Sequence, residues 1–223
     1  MSPRNQPGKR ALDLPARRAR ARAVVKILRR EFPQARCSLD HRDAFELLVA
    51  TILSAQCTDA RVNLVMPELL RLFPTPADFA SAPLAEIEAA IRSTGFYRNK
   101  AKSLQGCCRG LVERHAGQVP GTMAQLLALP GIGRKTANVV LGVAFGASDG
   151  VVVDTHVGRI AAKLGLTAET DPVKIERDLN ACVPRADWIA LGHLLIEHGR
   201  RTCKARRPDC DACPLYKECE VRA

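Results

Sequence analysis

The sequence predicts an all-α fold of about ten helices joined by short loops. Ala and Leu are plentiful while aromatic residues make up only 4% of the 223 residues, a balance that favours helices over strands. The one β-rich run, at residues 151–153, is too short and too isolated to found a sheet. Because 47% of the residues are hydrophobic and 26% charged, wholesale disorder and a fibrous repeat are excluded.

The positions of the helices follow from caps and apolar spacing. A rough apolar stripe predicts a first helix over residues 16–32, and Asp43 can cap a buried second one. Pro67 should kink or divide the third, and the segment FPTPADF is typical of a turn. The other predicted helix boundaries are Thr58 or Asp59, Ser81 to Gly95, residues 98–116, Thr122, Asp171 to about Cys182, and Asp187.

The formal net charge of +11 is concentrated at the two ends of the chain. Residues 1–30 hold ten Lys and Arg against one acidic side chain, whereas residues 31–199 hold 17 basic and 18 acidic ones. We predict that residues 1–16 form a disordered basic arm that attracts a polyanion, most often nucleic acid; a solvated tail is the alternative. No apolar run approaches the roughly 20 residues that cross a bilayer, and no secretory signal is predicted.

Two glycines one residue apart, Gly131 and Gly133, lie between predicted helices in the segment LPGIG. This spacing lets consecutive N–H groups point toward one anion at the start of the next helix, and a nucleic-acid phosphate fits there without base reading. An ordinary tight turn is the alternative. A P-loop is excluded because the GxxxxGK[ST] frame is missing.

Lys135 and Asp154 are the candidate reactive residues. Lys135 lies in the first turn after the glycines, where the helix dipole disfavours its charged form, so it is either a neutral nucleophile or a phosphate contact. Asp154 ends the apolar run and is held either for chemistry or as a simple cap of the helix starting at Thr155.

Four of the nine cysteines crowd the C-terminus as Cys-x6-Cys-x2-Cys-x5-Cys. This spacing indicates a metal-ligand set and leaves both zinc and a [4Fe–4S] cluster open, zinc being the commoner. Basic residues around the set, at 200–207, would present a basic loop to DNA. The other five cysteines are interpreted as buried small apolar residues in a reducing compartment. The four candidate ligands are Cys203, Cys210, Cys213 and Cys219.

Taken together, five segments in order resemble the endonuclease III family of DNA glycosylases and abasic-site lyases. They are ILSAQCTD (52–59), STGFYRNKA (93–101), LPGIGRKTAN (129–138), VVVDTHVGRI (151–160) and the C-terminal cysteine spacing. The resemblance implies an all-α, helix-hairpin-helix DNA glycosylase fold and a [4Fe–4S] cluster in place of zinc. It implies a six-helix barrel at residues 37–148, with the helix-hairpin-helix motif at about 122–146, and a four-helix iron–sulfur domain built from residues 17–36 and 149–223.

The resemblance also implies roles for individual residues. Lys135 matches the nucleophile that forms a Schiff base with C1′, and Asp154 matches its carboxylate partner; together they would remove oxidised pyrimidines and cleave 3′ to abasic sites by β-elimination. Gln56 matches the residue that fills the hole left by the flipped nucleotide, and Phe96 stands where the family usually has Leu as a second wedge. The remaining matches are DNA-backbone contacts at Gly131, Gly133 and Arg134, and pocket positions at Asp59 and His156.

Damaged double-stranded DNA is the implied partner, with a monovalent cation as a further candidate ligand of the hairpin. A monomer is expected, in the cytoplasm and nucleoid-associated if bacterial. One alternative within the fold is an adenine glycosylase acting on mismatches. Such relatives usually lack the hairpin lysine and carry an extra C-terminal domain, whereas this chain has Lys135 and ends at Ala223. A DNA-binding module without turnover is the alternative from another class.

Overall fold

A computed structural model describes residues 12–221, and every regular element in that range is a helix, as the sequence predicts. The predicted basic arm therefore lies outside the described residues except for its last five. Three short 3-10 helices in the described range lie at Arg92–Thr94, Arg185–Asp187 and Tyr216–Glu218. Its α-helices are α1 (Leu14–Glu31), α2 (Ala44–Leu53), α3 (Asp59–Leu72), α4 (Pro76–Ser81), α5 (Leu84–Ala90), α6 (Tyr97–His115), α7 (Met123–Leu127), α8 (Arg134–Phe145), α9 (Thr155–Lys163), α10 (Pro172–Cys182) and α11 (Trp188–Arg201).

The described chain divides into two compact units. The continuous unit is Cys37–Asp149 and holds α2 to α8. The two-ended unit joins the described residues up to Arg36 to those from Gly150 onward, so that α1 packs against α10 and α11. None of the helices in the described range is long and apolar enough to cross a membrane.

Each unit has its own apolar core. In the continuous unit Phe79 is fully buried, and its ring lies 5.1 Å from that of Phe73 and 6.0 Å from that of Phe45. In the two-ended unit α1 contributes the fully buried Val24 and Leu28 to a cluster shared with α9, α10 and α11. The apolar stripe predicted for the first helix is therefore its packing face.

Side-chain caps fix where most of the helices begin. The first helix starts at Leu14, two residues earlier than predicted, because the Asp13 carboxylate accepts the Ala16 amide at 2.9 Å and Pro15 stands in the first turn. The caps predicted from the sequence and found in the structure are Asp43 for α2, Thr58 for α3, Thr122 for α7, Asp154 for α9 and Asp171 for α10.

The turn predicted for FPTPADF is confined to residues 73–75, which connect α3 to α4; the rest of the segment, residues 76–79, belongs to α4. Thr75 and Asp78 form a reciprocal capping box: the Thr75 hydroxyl accepts the Asp78 amide, and the Asp78 carboxylate accepts the Thr75 amide at 2.8 Å. Pro76 stands at the first helical position, where its missing N–H costs nothing. Ser81 ends this helix, and the next helix begins only after Pro83.

Pro67 does not divide α3, which continues without a break to Leu72. Val62 before the proline and Leu69 after it are both fully buried, so packing stabilises the helix on both sides of Pro67. Tertiary burial here outweighs the lost backbone hydrogen bond.

The prediction that the five dispersed cysteines are buried is right for Cys107, Cys108 and Cys182. Burial raises the pKa of the Cys107 thiol to about 12 and raises those of the other two as well, so these thiols are inert. The prediction is wrong for Cys37 and Cys57, which are half-buried because both lie in connections outside the helices.

Candidate nucleic-acid and metal sites

The LPGIG segment forms the turn between α7 and α8. Leu129 and Ile132 are buried and attach the turn to the core, while Gly131 and Gly133 are exposed. Gly131 has φ of +77°, and a Cβ there would lie 2.6 Å from that of Ser103, so only glycine fits. A Cβ on Gly133 would meet no atom within 4 Å, so the space beside this backbone is open.

Lys135 and Arg134 are exposed in the first turn of α8. The opposite face of this helix is buried and packs against α2 and α7. Asn138 is 1% exposed, and its side-chain oxygen accepts the Asp149 amide at 3.3 Å. The first turn of α8 is therefore anchored through the buried face of the helix, while both cationic side chains remain exposed.

Gln56 and Phe96 share an unusual backbone conformation. Their φ angles are +51° and +48°, and Ala116 is the only other non-glycine residue in the described range with positive φ. Left-handed backbone at such residues costs of order 1–3 kcal/mol and persists where the surrounding structure imposes it, which is common at functional sites. Both side chains are exposed, and Phe96, at 65%, is among the most exposed large apolar groups described.

Lys100, which the sequence analysis missed, lies beneath the two segments that carry these residues. Its side chain is buried and donates to the carbonyl oxygens of Leu53 at 2.9 Å and of Thr94 at 2.8 Å. Burial lowers the pKa of Lys100, and the nearby Cys57 opposes that shift. The only signal available from the sequence is that this lysine falls within the STGFYRNKA segment.

The remaining predicted residue of the continuous unit is Asp59, half-buried at the start of α3. Its carboxylate accepts a hydrogen bond from the Ser38 hydroxyl. Asn63, one turn further along α3, accepts the Asp40 amide at 3.0 Å and donates to the Ser38 carbonyl at 2.9 Å. These bonds fix the connection before α2 to the beginning of α3 and so fix the direction of the Asp59 carboxylate.

Asp154 and His156 belong to the two-ended unit, whereas Lys135 belongs to the continuous one. Asp154 is half-buried, and its Oδ1 accepts the Val157 amide at 2.8 Å as the cap of α9. The capping role is therefore real, and it fixes the direction of the carboxylate. His156 packs against α11 at Gly199: a Cβ added to this glycine would lie only 2.5 Å from Nδ1 of His156.

The four C-terminal cysteines line one cavity, whose volume is about 440 Å³ when the space open to solvent is counted. Burial raises the thiol pKa of Cys213 and Cys219. No three described Cys, His, Asp or Glu side chains converge tightly enough to hold a single metal ion.

Two further residues of this cavity region were missed by the sequence analysis. Arg159 of α9 donates to the Cys203 sulfur at 3.4 Å and lies 3.5 Å from Nδ1 of His156. His198 of α11 is 2% exposed, with Nε2 3.7 Å from the Cys213 sulfur. Burial and the charge of Arg159 lower the pKa of His198 to about 4, so it is neutral at physiological pH.

Comparison with protein families matches residues 49–185 to the HhH-GPD superfamily base excision DNA repair proteins. Among curated proteins, the chain is 52% identical over 204 residues to endonuclease III of Synechocystis, covering 92% of this chain and 93% of the relative. It is 47% identical over 189 residues to endonuclease III of Bacillus subtilis, covering 84% and 86%. It is 38% identical over 205 residues to that of Escherichia coli K12, covering 92% and 97%.

Solved structures agree with the sequence comparisons. A trapped endonuclease III–DNA covalent intermediate superposes with a TM-score of 0.86 at 43% identity, covering 91% of this chain and 95% of the other. A non-covalent endonuclease III–DNA complex gives the same values. A thermostable thymine-DNA glycosylase shares the fold, with a TM-score of 0.80 at 22% identity over 91% of this chain and 96% of the other.

Proposed function

This chain belongs to the endonuclease III family of helix-hairpin-helix base excision repair proteins, and from that premise we propose that Lys135 is the nucleophile of its DNA glycosylase and abasic-site lyase activity. The observation that supports the proposal is the exposure of this lysine in the first turn of α8, directly after a hairpin of exposed glycines. We further propose oxidised pyrimidines as the damaged bases.

The reaction begins once the damaged nucleotide has left the helical stack. The neutral amine of Lys135 attacks C1′ with its lone pair, and the glycosidic bond breaks with its electrons leaving on the base. Opening of the sugar gives an imine between Lys135 and C1′. The imine acidifies C2′, so that loss of a C2′ proton expels the 3′ phosphate and cleaves the strand by β-elimination.

Asp154 is proposed as the carboxylate partner of this lysine. Positive charge develops on the sugar as the base departs, and an ionised carboxylate stabilises that charge and takes up a proton from the attacking amine. The cap of α9 supports this role, because a carboxylate fixed by the Val157 amide needs no reorientation during the reaction.

DNA is held and opened by the remaining residues of the proposal. Gly131 and Gly133 are exposed, and their backbone amides would bind a DNA phosphate with help from Arg134, which is exposed beside them. Gln56 fills the space left by the flipped nucleotide and Phe96 acts as the second, apolar wedge; their exposure and left-handed backbones support this. Asp59 and His156 would line the pocket for the damaged base.

A [4Fe–4S] cluster held by Cys203, Cys210, Cys213 and Cys219 is proposed as the cofactor. The residues present fit it: four thiols line one cavity, and four cysteine thiolates are the ligand set that such a cluster takes. When bound, the cluster cross-links these residues and stabilises the fold around them. Arg159 would donate to the Cys203 thiolate, in keeping with the outer hydrogen bonds that tune such clusters.

The cluster proposal predicts a brown protein with a broad visible absorbance band and equal amounts of iron and acid-labile sulfide. Absorbance and metal analysis after anaerobic purification provide the measurement. A colourless preparation containing one zinc ion per chain, with activity intact, would overturn the assignment.

The same proposal assigns residues 37–148, which hold the seven α-helices α2 to α8, to the six-helix barrel domain with the helix-hairpin-helix motif at about 122–146. The two-ended unit corresponds to the iron–sulfur domain of residues 17–36 and 149–223. Because the relatives named above are bacterial, and bacterial DNA lies in the cytoplasm, we place the activity there, at the nucleoid.

The proposed substrate class is tested on three end-labelled duplexes that carry 5-hydroxycytosine, 8-oxoguanine or no lesion. We expect cleavage of the 5-hydroxycytosine strand to a β-elimination product and little action on the other two. The measurement is the single-turnover rate at two salt concentrations, because backbone binding depends on salt. Preferential cleavage of the oxidised purine would contradict the proposed substrate class.

A further inference from the structure

Lys100 has a buried side chain whose ammonium group donates hydrogen bonds to two backbone carbonyl oxygens. It is 5% exposed, although a buried ammonium is costly unless it is hydrogen-bonded. Its bonds to the carbonyls of Leu53 and Thr94 satisfy that requirement, at 2.9 and 2.8 Å. None of the proposed chemical steps uses this residue, so its presence in the core needs a separate explanation.

The two carbonyls that Lys100 binds have equivalent positions in the chain. Leu53 is the last residue of α2, and Thr94 is the last residue of the 3-10 helix before α6. Each therefore offers an oxygen that its own helix leaves unpaired, and a cation is favoured at such an end. The chain reaches the left-handed Gln56 three residues after the first and the left-handed Phe96 two residues after the second.

The backbone of Lys100 adds a third connection. Its amide donates to the Phe96 carbonyl at 3.1 Å, which closes the first turn of α6 directly after the left-handed residue. One residue thus fixes Phe96 from both sides and fixes the segment that leads to Gln56. A left-handed conformation in an exposed connection would relax unless neighbouring bonds imposed it.

We propose that Lys100 is a positioning residue that holds Gln56 and Phe96 as one preorganised wedge for opening the duplex. The proposal rests on the roles proposed for those two residues above. Preorganisation matters because a misplacement of about 1 Å costs on the order of 100-fold in rate. Lys100 touches neither DNA nor the reacting atoms in this role; it acts through the backbone of the two wedge segments.

The test compares Lys100→Met with the matched control Gln105→Met in the full-length, cluster-containing protein. Gln105 lies on the same helix, is also buried, and also donates to a backbone carbonyl, that of Ala82 at 2.8 Å. Its partner Ala82 directly follows α4, and this helix carries no proposed DNA contact. Both variants lose a buried side-chain hydrogen bond, but only the first loses the connection between the wedge segments.

Three readouts separate positioning from stability. The first is the single-turnover rate on a 5-hydroxycytosine duplex. The second is lyase activity on a single-stranded abasic oligonucleotide, which has no stack to open. The third is the fluorescence of 2-aminopurine opposite a tetrahydrofuran abasic analogue, which reports unstacking when the wedge enters the duplex.

We expect Lys100→Met to lower the duplex rate about 10- to 100-fold and to weaken the fluorescence change. Its activity on the single strand should stay within about twofold of the original, as should all three readouts of Gln105→Met. Adding Lys100→Met to the double variant Gln56→Ala/Phe96→Ala should cause little further loss, because the residues act as one unit.

Equal losses on duplex and single strand, or an unchanged duplex rate, would overturn the positioning role. If Lys100→Met does not fold, Lys100→Gln, which keeps an N–H donor, replaces it; loss of single-strand activity there too would mark Lys100 as purely structural. If Gln56→Ala and Phe96→Ala themselves leave the duplex rate and the fluorescence unchanged, the proposed wedge has failed, independently of Lys100.

Discussion

Replacing Lys135 with alanine is expected to abolish borohydride trapping on abasic DNA and to lower strand cleavage by at least about 1,000-fold. The reason is that no covalent imine can form at C1′ without this amine. The variant should fold normally, because Lys135 is exposed and the helix that carries it is fixed by its opposite, buried face. The measurements are the yield of reduced protein–DNA adduct and the single-turnover rate of cleavage.

Arg134→Ala is the matched control one residue earlier, since both side chains are exposed in the same turn. It should weaken binding to an uncleavable abasic analogue and flatten the salt dependence, while adduct formation at saturating protein persists. Lys135→Ala should bind this analogue nearly as well as the original protein. Loss of binding with an adduct that still forms on another amine would show Lys135 to be a phosphate contact and not the nucleophile.

Asp154→Asn is expected to lower the rate of base removal about 100- to 1,000-fold while leaving the fold unchanged. Asparagine caps a helix about as well as aspartate, so the bond to the Val157 amide and the start of α9 survive. What is lost is the negative charge that the proposed mechanism requires. Single-turnover kinetics on the 5-hydroxycytosine duplex measure the first effect, and thermal unfolding measures the second.

Asp171→Asn supplies the control, because Asp171 caps α10 in the same manner, by accepting the Val173 and Lys174 amides. It should alter neither the rate nor the unfolding temperature appreciably. If Asp154→Asn behaves like Asp171→Asn, then Asp154 is only a cap. A fall in rate that is matched by a fall in stability would lead to the same conclusion.

Local signals in the sequence predicted most of the fold. Asp43, Thr122 and Asp171 each cap the helix expected of them, because capping depends on residues within one turn. The predicted division of α3 fails because the helix is buried on both sides of Pro67. The predicted turn at FPTPADF is shortened because the reciprocal capping bonds of Thr75 and Asp78 start α4 within the segment. The helix propensities of the individual residues predict neither effect.

The site was predictable where chemistry restricts residue type and not where packing determines the role. The hairpin glycines and the four clustered cysteines can be recognised from their spacing in the sequence. Lys100 and Arg159 do not, since their partners are a carbonyl 47 residues away and a sulfur 44 residues away. Nothing in a single sequence links positions so far apart.

The two-ended unit also sets an order of events during synthesis. The ribosome completes α1 before any of Cys37–Asp149, yet the helices that cover its fully buried Val24 and Leu28 follow that segment. Translation adds about 5–20 residues per second, so this apolar stripe stays without its partner helices for on the order of ten seconds. During that time the whole sequence of the continuous unit is already available for folding. Nascent α1 is therefore open to misassociation until its partner helices follow, and the cysteine cavity cannot be completed before Cys219 has been synthesised.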